Sequence, residues 1–398
     1  MRDSIEELAI AGAQPAFSKP LHVGRPNIGD RNRLMERIND LLDRRWLSNA
    51  GKYVTEFEEK LADLLGVEHC IAMCNGTVAL EIAIRASALE GEVIIPSFTF
   101  VATAHALQWQ QIKPVFCDID PVSCTIDPER IEALITPHTS GIIGVHLWGR
   151  PCDTDALQTI ASRHKLKLLY DASHALGVTS GGRMIGSFGE AEVFSFHATK
   201  FINSVEGGAV TTNDQALADR VRLMKNFGFS GYDNVVYLGT NGKMPEVSAA
   251  MGLTSLESMN EFVEANRANY LAYEAGVKSI RGLKLLPYHE NEATNYQYLV
   301  MLLEEEVAGI KRDTLIDVLH RENIMARRYF YPGCHRMEPY RSQQPDAGLL
   351  LPETEKLAGQ TIVLPTGTEI NSEIVQEIVD ILRCAIEHSA QLPAHMVD

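Results

Sequence analysis

Six short apolar runs recur at residues 70–74, 92–95, 113–117, 141–146, 167–170 and 191–196, and most are followed by a turn and an amphipathic stretch. Alternation of this kind builds βαβ units, because parallel neighbours need a crossover that is usually a helix. The first run turns at Asn75-Gly76 into a helix expected to begin near Thr77, with Leu80, Ile82, Ala83 and Ile84 on its apolar side. Pro96 stops the second run, and a polar stretch containing Pro121 follows the third. The expected fold class is therefore α/β with a large, mostly parallel sheet.

A chain of 398 residues, 45% of them hydrophobic, holds about two domains of roughly 100–200 residues each. The pattern from Ser248 to about Leu271 is helical, with Met251, Leu253, Leu256 and Met259 on one side, and is expected to cross to a smaller domain. Residues 285–375 mix strands such as 298–302 with helices such as 312–322. The organisation expected is a wrapping segment over 1–30, containing Pro15, Pro20 and Pro26, a large α/β domain over 31–265, and a small α+β domain over 266–398.

The formal charge is −16, with Lys and Arg in no long run, which disfavours a nucleic-acid partner. Seven scattered cysteines without C-x-x-C spacing read as reduced thiols, and the expected location is the cytoplasm. Acids stand near the N-terminus where a signal peptide carries basic residues, and no window approaches the roughly 18 apolar residues of a membrane span. Neither H-E-x-x-H nor Cys/His ligand spacing is present, so no metal is expected. The absence of G-x-G-x-x-G after the first strand and of a G-x-S-x-G elbow argues against a dinucleotide dehydrogenase and a serine hydrolase.

The chemistry concentrates in two clusters. Phe194-Ser195-Phe196-His197-Ala198-Thr199-Lys200 precedes Glu206-Gly207-Gly208, and Asp171-Ala172-Ser173-His174 follows the run at 167–170. Together they supply the lysine, acid and hydroxyl that a pyridoxal phosphate site needs. Lys200 can hold the aldehyde as a Schiff base, and a buried Asp171 can keep the pyridine nitrogen protonated. His174 either bonds the phenolic oxygen, packs on the ring or is a structural histidine. Gly76-Thr77 opens a helix after a strand, which makes an anion site as readily as an ordinary N-cap. Ser195 adds a second hydroxyl, and Phe100 either stacks on the pyridine face or belongs to the core.

These motifs resemble the DegT/DnrJ/EryC1/StrS sugar-nucleotide aminotransferases, pyridoxal phosphate enzymes of the aspartate aminotransferase fold (fold type I). The resemblance covers nearly the whole chain, including Trp46-Leu47-Ser48-Asn49, Gly76-Thr77-Val78-Ala79-Leu80, Val145-His146-Leu147-Trp148-Gly149-Arg150-Pro151, Asn226-Phe227-Gly228 and Leu364-Pro365. It implies Lys200 as the Schiff-base lysine and Asp171 as the pyridinium partner, with His174 near the phenolic oxygen and Phe100 on the ring. Gly76, Thr77 and Ser195 would hold the phosphate, joined by Asn226 from the other subunit of a homodimer. Trp46, Asn241, Lys243, Tyr331 and His335 would lie near the substrate. Lys243 stands where the family often has arginine, and Tyr331-Pro332-Gly333-Cys334-His335 where it often has Tyr-Pro-Leu-His. The chain looks most like the subgroup that aminates C4 of dTDP-4-keto-6-deoxyglucose, with L-glutamate as donor and pyridoxamine phosphate as the alternate cofactor form. A 3-keto sugar, a UDP- or GDP-linked 4-keto sugar, and a non-catalytic cofactor-binding regulator are the alternatives.

Overall fold

The computed structural model describes residues 4–289 and 291–392. One seven-stranded sheet organises the larger part: β1 (His69–Met73), β2 (Glu92–Pro96), β3 (Lys113–Cys117), β4 (Thr139–Val145), β5 (Lys167–Asp171), β6 (Ala191–Ser195) and β7 (Gly208–Thr212). Their spatial order is β1-β7-β6-β5-β4-β2-β3. β7 is antiparallel to both neighbours and every other pairing is parallel. The six apolar runs match six of these strands within two residues at either end. β7 was not among them, because Gly208-Ala209-Val210-Thr211-Thr212 is small and polar, although all five residues are buried. It returns from β6 through a stretch with no helix, so it can only run antiparallel.

Helix α1 (Lys52–Leu65) packs Phe57, Leu61 and Leu65 into the core on one side of the sheet, and α2 (Gly76–Ala86) packs Ala79, Ile82 and Ala83 on the other. The N-cap of α1 is Gly51, which has no side chain to satisfy the first N–H groups. Glu246 does so from 195 residues away in sequence: its carboxylate accepts from Tyr53 N–H at 2.8 Å and Val54 N–H at 3.3 Å. A Cβ on Gly51 would lie 2.8 Å from the Glu246 carboxyl carbon, so the glycine makes room for the remote cap. Glu246 is itself almost fully buried. Glu246→Ala should therefore lower unfolding free energy in urea by about 1–3 kcal/mol, with Glu246→Gln costing less. Midpoints of both variants equal to the parent's would show that the cap contributes nothing.

The long helical pattern resolves into α3 (Glu246–Glu257) and α4 (Met259–Val277), broken at Ser258. Ser258 Oγ bonds back to Thr254 O, a contact that bends helices, and Gly29 of the N-terminal segment passes at the break. Phe262 of α4 lies in the core beneath the large sheet, whereas Tyr270, Tyr273 and Val277 lie in a second core. That second core rests on a small antiparallel sheet, β8 (Leu283–Leu285), β9 (Leu299–Leu303) and β10 (Thr361–Leu364), and on the helix Ser372–Glu387. We propose that α4 bridges the two domains expected on either side of residue 265.

Ile5, Leu8 and Ile10 pack in the second core, and Leu21-His22 pairs with Ile324-Met325. Further on, Asn27 Nδ2 donates to Phe201 O at 3.2 Å and Asn203 Nδ2 donates to Asn27 O at 2.9 Å, which ties this segment to the loop after Lys200. Among the described residues no helix is long and apolar enough to cross a membrane.

Candidate active site

Asp171 ends β5, Ser195 ends β6 and Gly76 follows β1, three strands that run the same way. The carboxyl edge of an open α/β sheet is where crossovers leave a crevice. A cavity of about 560 Å³ opens there, lined by Gly76, Thr77, Phe100, Asp171, His174, Ser195 and Lys200. The sheet thus gathers into one space residues that span 124 positions of sequence, from 76 to 200.

Lys200 is half-buried, its Nζ 3.5 Å from the Tyr298 hydroxyl. Burial draws its pKa down to about 8, although nearby Asp171 pulls the other way. Asp171 is buried; Thr103 Oγ1 donates to Oδ2 at 2.8 Å and Ser173 N–H to Oδ1 at 3.1 Å.

His174 has its tautomer fixed by its neighbours. Its Nδ1 accepts the Trp148 N–H at 3.2 Å, and its ring lies parallel to Phe330 at 5.6 Å. Burial first, then the Lys200 charge, push its pKa well below the usual range. The imidazole is therefore neutral, and Nε2–H is its donor.

The N-terminus of α2 forms an anion cradle. Asn75 Oδ1 is taken by Val78 N–H at 2.8 Å, which leaves the N–H groups of Gly76 and Thr77 without helical partners. Close packing explains the glycines: a Cβ on Gly76 would lie 2.9 Å from Ser195 Cβ, and one on Gly208 2.6 Å from the Asn75 carbonyl carbon. The Glu-Gly-Gly signal after Lys200 thus reports how tightly β7 passes the phosphate turn.

The residues expected at the substrate are placed elsewhere in the single chain. Trp46 is exposed and lines a separate cavity with Lys52 and Tyr53. Lys243 Nζ donates to Asn226 Oδ1 at 2.9 Å, Asn226 bridges Asn241, and none of the three lines the Lys200 cavity. Tyr331 packs under Arg312 and Arg328 at 4.8 and 4.7 Å, and His335 is buried against Ser97 and Glu355. Tyr329 and Phe330 face the cavity instead. This segment is irregular, so no period in the sequence tells which of its aromatics points inward. Thr103 and Tyr298 also belong to the site, and no local pattern in the sequence points to either.

These residues fit pyridoxal phosphate. A weakly basic amine, a buried carboxyl group, a neutral imidazole donor and a helix N-terminus with N–H groups outside the helical ladder are the functions its aldehyde, ring nitrogen, phenolic oxygen and phosphate require.

Comparison with known proteins agrees with that chemistry. Residues 29–383 match the DegT/DnrJ/EryC1/StrS aminotransferase family. The chain is 37% identical over 367 residues to a dTDP-4-amino-4,6-dideoxy-D-glucose transaminase of Shigella dysenteriae, covering 92% of this chain and 99% of that one. It is 34% identical to the transaminase of the same name from Escherichia coli, covering 92% and 98%. The crystal structure of DesI in the presence of its TDP-sugar product superposes with a TM-score of 0.94 at 46% identity, over 99% of this chain and 100% of that one. Helicobacter pylori PseC, an aminotransferase of pseudoaminic acid biosynthesis, superposes at 0.86 with 27% identity, over 93% and 100%. The fold is that of the pyridoxal phosphate aminotransferases, and the chain belongs to the DegT/DnrJ/EryC1/StrS aminotransferase family.

Proposed function

We propose that this pyridoxal phosphate enzyme moves the amino group of L-glutamate to C4 of dTDP-4-keto-6-deoxy-D-glucose, giving dTDP-4-amino-4,6-dideoxy-D-glucose. The observation that carries the reading is the Lys200 amine, poised near neutrality in a cavity whose floor is Asp171. The names of the two relatives at 37% and 34% identity support the sugar and the position aminated.

When bound, the cofactor supplies an aldehyde to take up amines and a ring to accept the electrons of a deprotonated carbon. Lys200 Nζ would hold it through the aldehyde and, as a neutral amine, would be the group that moves the proton at the reacting carbon. A pKa of about 8 leaves a useful fraction of that amine neutral at physiological pH. Asp171, held by Thr103 and the Ser173 N–H, keeps the proton on the ring nitrogen. His174 would donate Nε2–H to the phenolic oxygen, and Phe100 would cover the ring. Gly76, Thr77 and Ser195 hold the phosphate.

Among the described residues, the cavity lining of one chain includes no arginine and no lysine besides Lys200. A dianionic donor and a nucleoside diphosphate need more positive charge than that. Asn226, Asn241 and Lys243 sit together beside exposed Phe227, Phe229 and Tyr232, which supports a homodimer in which one copy completes the other's site. A cytoplasmic location belongs to the same reading, supported by the acidic composition and the scattered cysteines.

The test is the absorption spectrum of the purified protein before and after L-glutamate, without sugar. The visible band of lysine-bound cofactor should give way to the near-ultraviolet band of pyridoxamine phosphate. Subsequent dTDP-4-keto-6-deoxyglucose should restore the visible band, and its 3-keto isomer should not. A band that glutamate leaves unchanged would exclude this donor.

A further inference from the structure

Behind the cavity wall a relay, buried at Ser97 and His335 and partly exposed at Glu355, joins two segments far apart in sequence. Ser97 Oγ lies 2.7 Å from His335 Nδ1, and His335 Nε2 lies 2.7 Å from Glu355 Oε1. Ser97 Oγ also accepts the His335 backbone N–H at 3.1 Å, which leaves its own hydrogen for Nδ1. The ring proton is then on Nε2, donated to Glu355, and the imidazole is neutral. Burial lowers the His335 pKa despite the Glu355 carboxylate, in keeping with that state.

Two further bonds run alongside, from Cys334 N–H to Ser97 O at 2.9 Å and from the Cys334 thiol to Thr99 O at 3.5 Å. Gly333, at φ +89°, makes room for the ring: a Cβ there would lie 3.1 Å from His335 Cε1 and Nδ1. The order Ser–His–Glu is also that of a hydrolytic triad. Ser97, however, is completely buried and lines none of the cavities described above, so it presents no nucleophile.

The relay holds two walls of the cavity. Ser97 leads into Thr99 and Phe100, and His335 follows Tyr329 and Phe330; all four neighbours line the cavity, with the Phe100 and Phe330 rings 6.2 Å apart. We propose that Ser97, His335 and Glu355 are positioning residues that set the spacing between these walls and thereby the seating of the sugar. His335 then acts through the wall rather than by touching substrate. The inference rests on reading this cavity as the sugar-nucleotide site.

Ser97→Ala and His335→Gln, singly and together, test it by amide hydrogen exchange in cofactor-free protein. Each change should loosen the opposite segment: Ser97→Ala should speed exchange over 329–336, and His335→Gln over 97–101, by about tenfold, the effect of one well-made hydrogen bond. The double variant should exchange no faster than the singles. In the loaded enzyme, KM for the nucleotide sugar should rise more than kcat falls, and the double variant should match the singles rather than their product. Gly333→Ala, which presses on the ring from outside the relay, should reproduce the His335 effect and serves if His335→Gln misfolds. Unchanged exchange in the opposite segment, or effects on KM that multiply, would overturn the proposal. Failure of the parent enzyme to react with L-glutamate or the sugar would instead sink the aminotransferase reading, and the exchange result would still stand or fall on its own.

Discussion

Lys200→Ala should give a folded protein that binds pyridoxal phosphate without the visible band and turns over at least about 10²–10⁴-fold more slowly, the usual weight of one positioned proton carrier. The expectation is severe because, among the described residues, Lys200 is the one lysine lining the cavity, so no neighbouring amine there replaces it. Its half-buried position means that truncation opens little apolar void, and the melting temperature should stay close to the parent's. Lys200→Arg separates charge from chemistry. A guanidinium keeps the positive charge but does not deprotonate, so this variant should be as inactive as the alanine. The cofactor-free parent offers a second check. A pKa of about 8 means that acylation of Lys200, followed by mass spectrometry, should rise with pH and level off well below the pH 10–11 at which solvated lysines do so. Turnover retained in Lys200→Ala would remove the lysine from the mechanism.

Sequence carried the site's floor better than its walls, for a physical reason. Asp171, Ser195 and Gly76 lie at or just beyond strand ends, and strands are announced by apolar runs that stop at polar or turn residues. Once the strands are parallel, their carboxyl ends converge and the residues on them share a crevice. The walls come from segments without a period. Tyr329, Phe330 and Tyr331 are consecutive aromatics in an irregular stretch, and the structure turns the first two inward and stacks the third on arginines. Partners such as Glu246 for α1, or Thr103 for Asp171, depend on packing between elements that local pattern does not encode. Asn226, Asn241 and Lys243 form a third case, because a chain considered alone leaves them outside the cavity that the family resemblance assigns them to.

Asp171→Asn should keep the visible cofactor band yet lower kcat by about 10²–10³, the scale on which a preorganised electrostatic partner acts. Asparagine matches aspartate in shape and satisfies both neighbours: its carbonyl accepts the Ser173 N–H, and its amide donates to a Thr103 hydroxyl turned to accept. What is lost is the negative charge, and with it the hold on the ring-nitrogen proton. The same charge currently raises the Lys200 pKa, so in this variant the acylation profile of Lys200 should move to lower pH. Thr103→Val offers the graded case, because it removes one bond to the carboxylate and leaves the charge; its kcat should fall by about tenfold at most. The two site variants then divide the roles. Without Lys200 the band disappears together with turnover, whereas without the Asp171 charge the band survives and turnover does not. If kcat of Asp171→Asn stayed within about twofold of the parent, the ring nitrogen would need no anionic partner, and the chemistry would rest on Lys200 and its cavity alone.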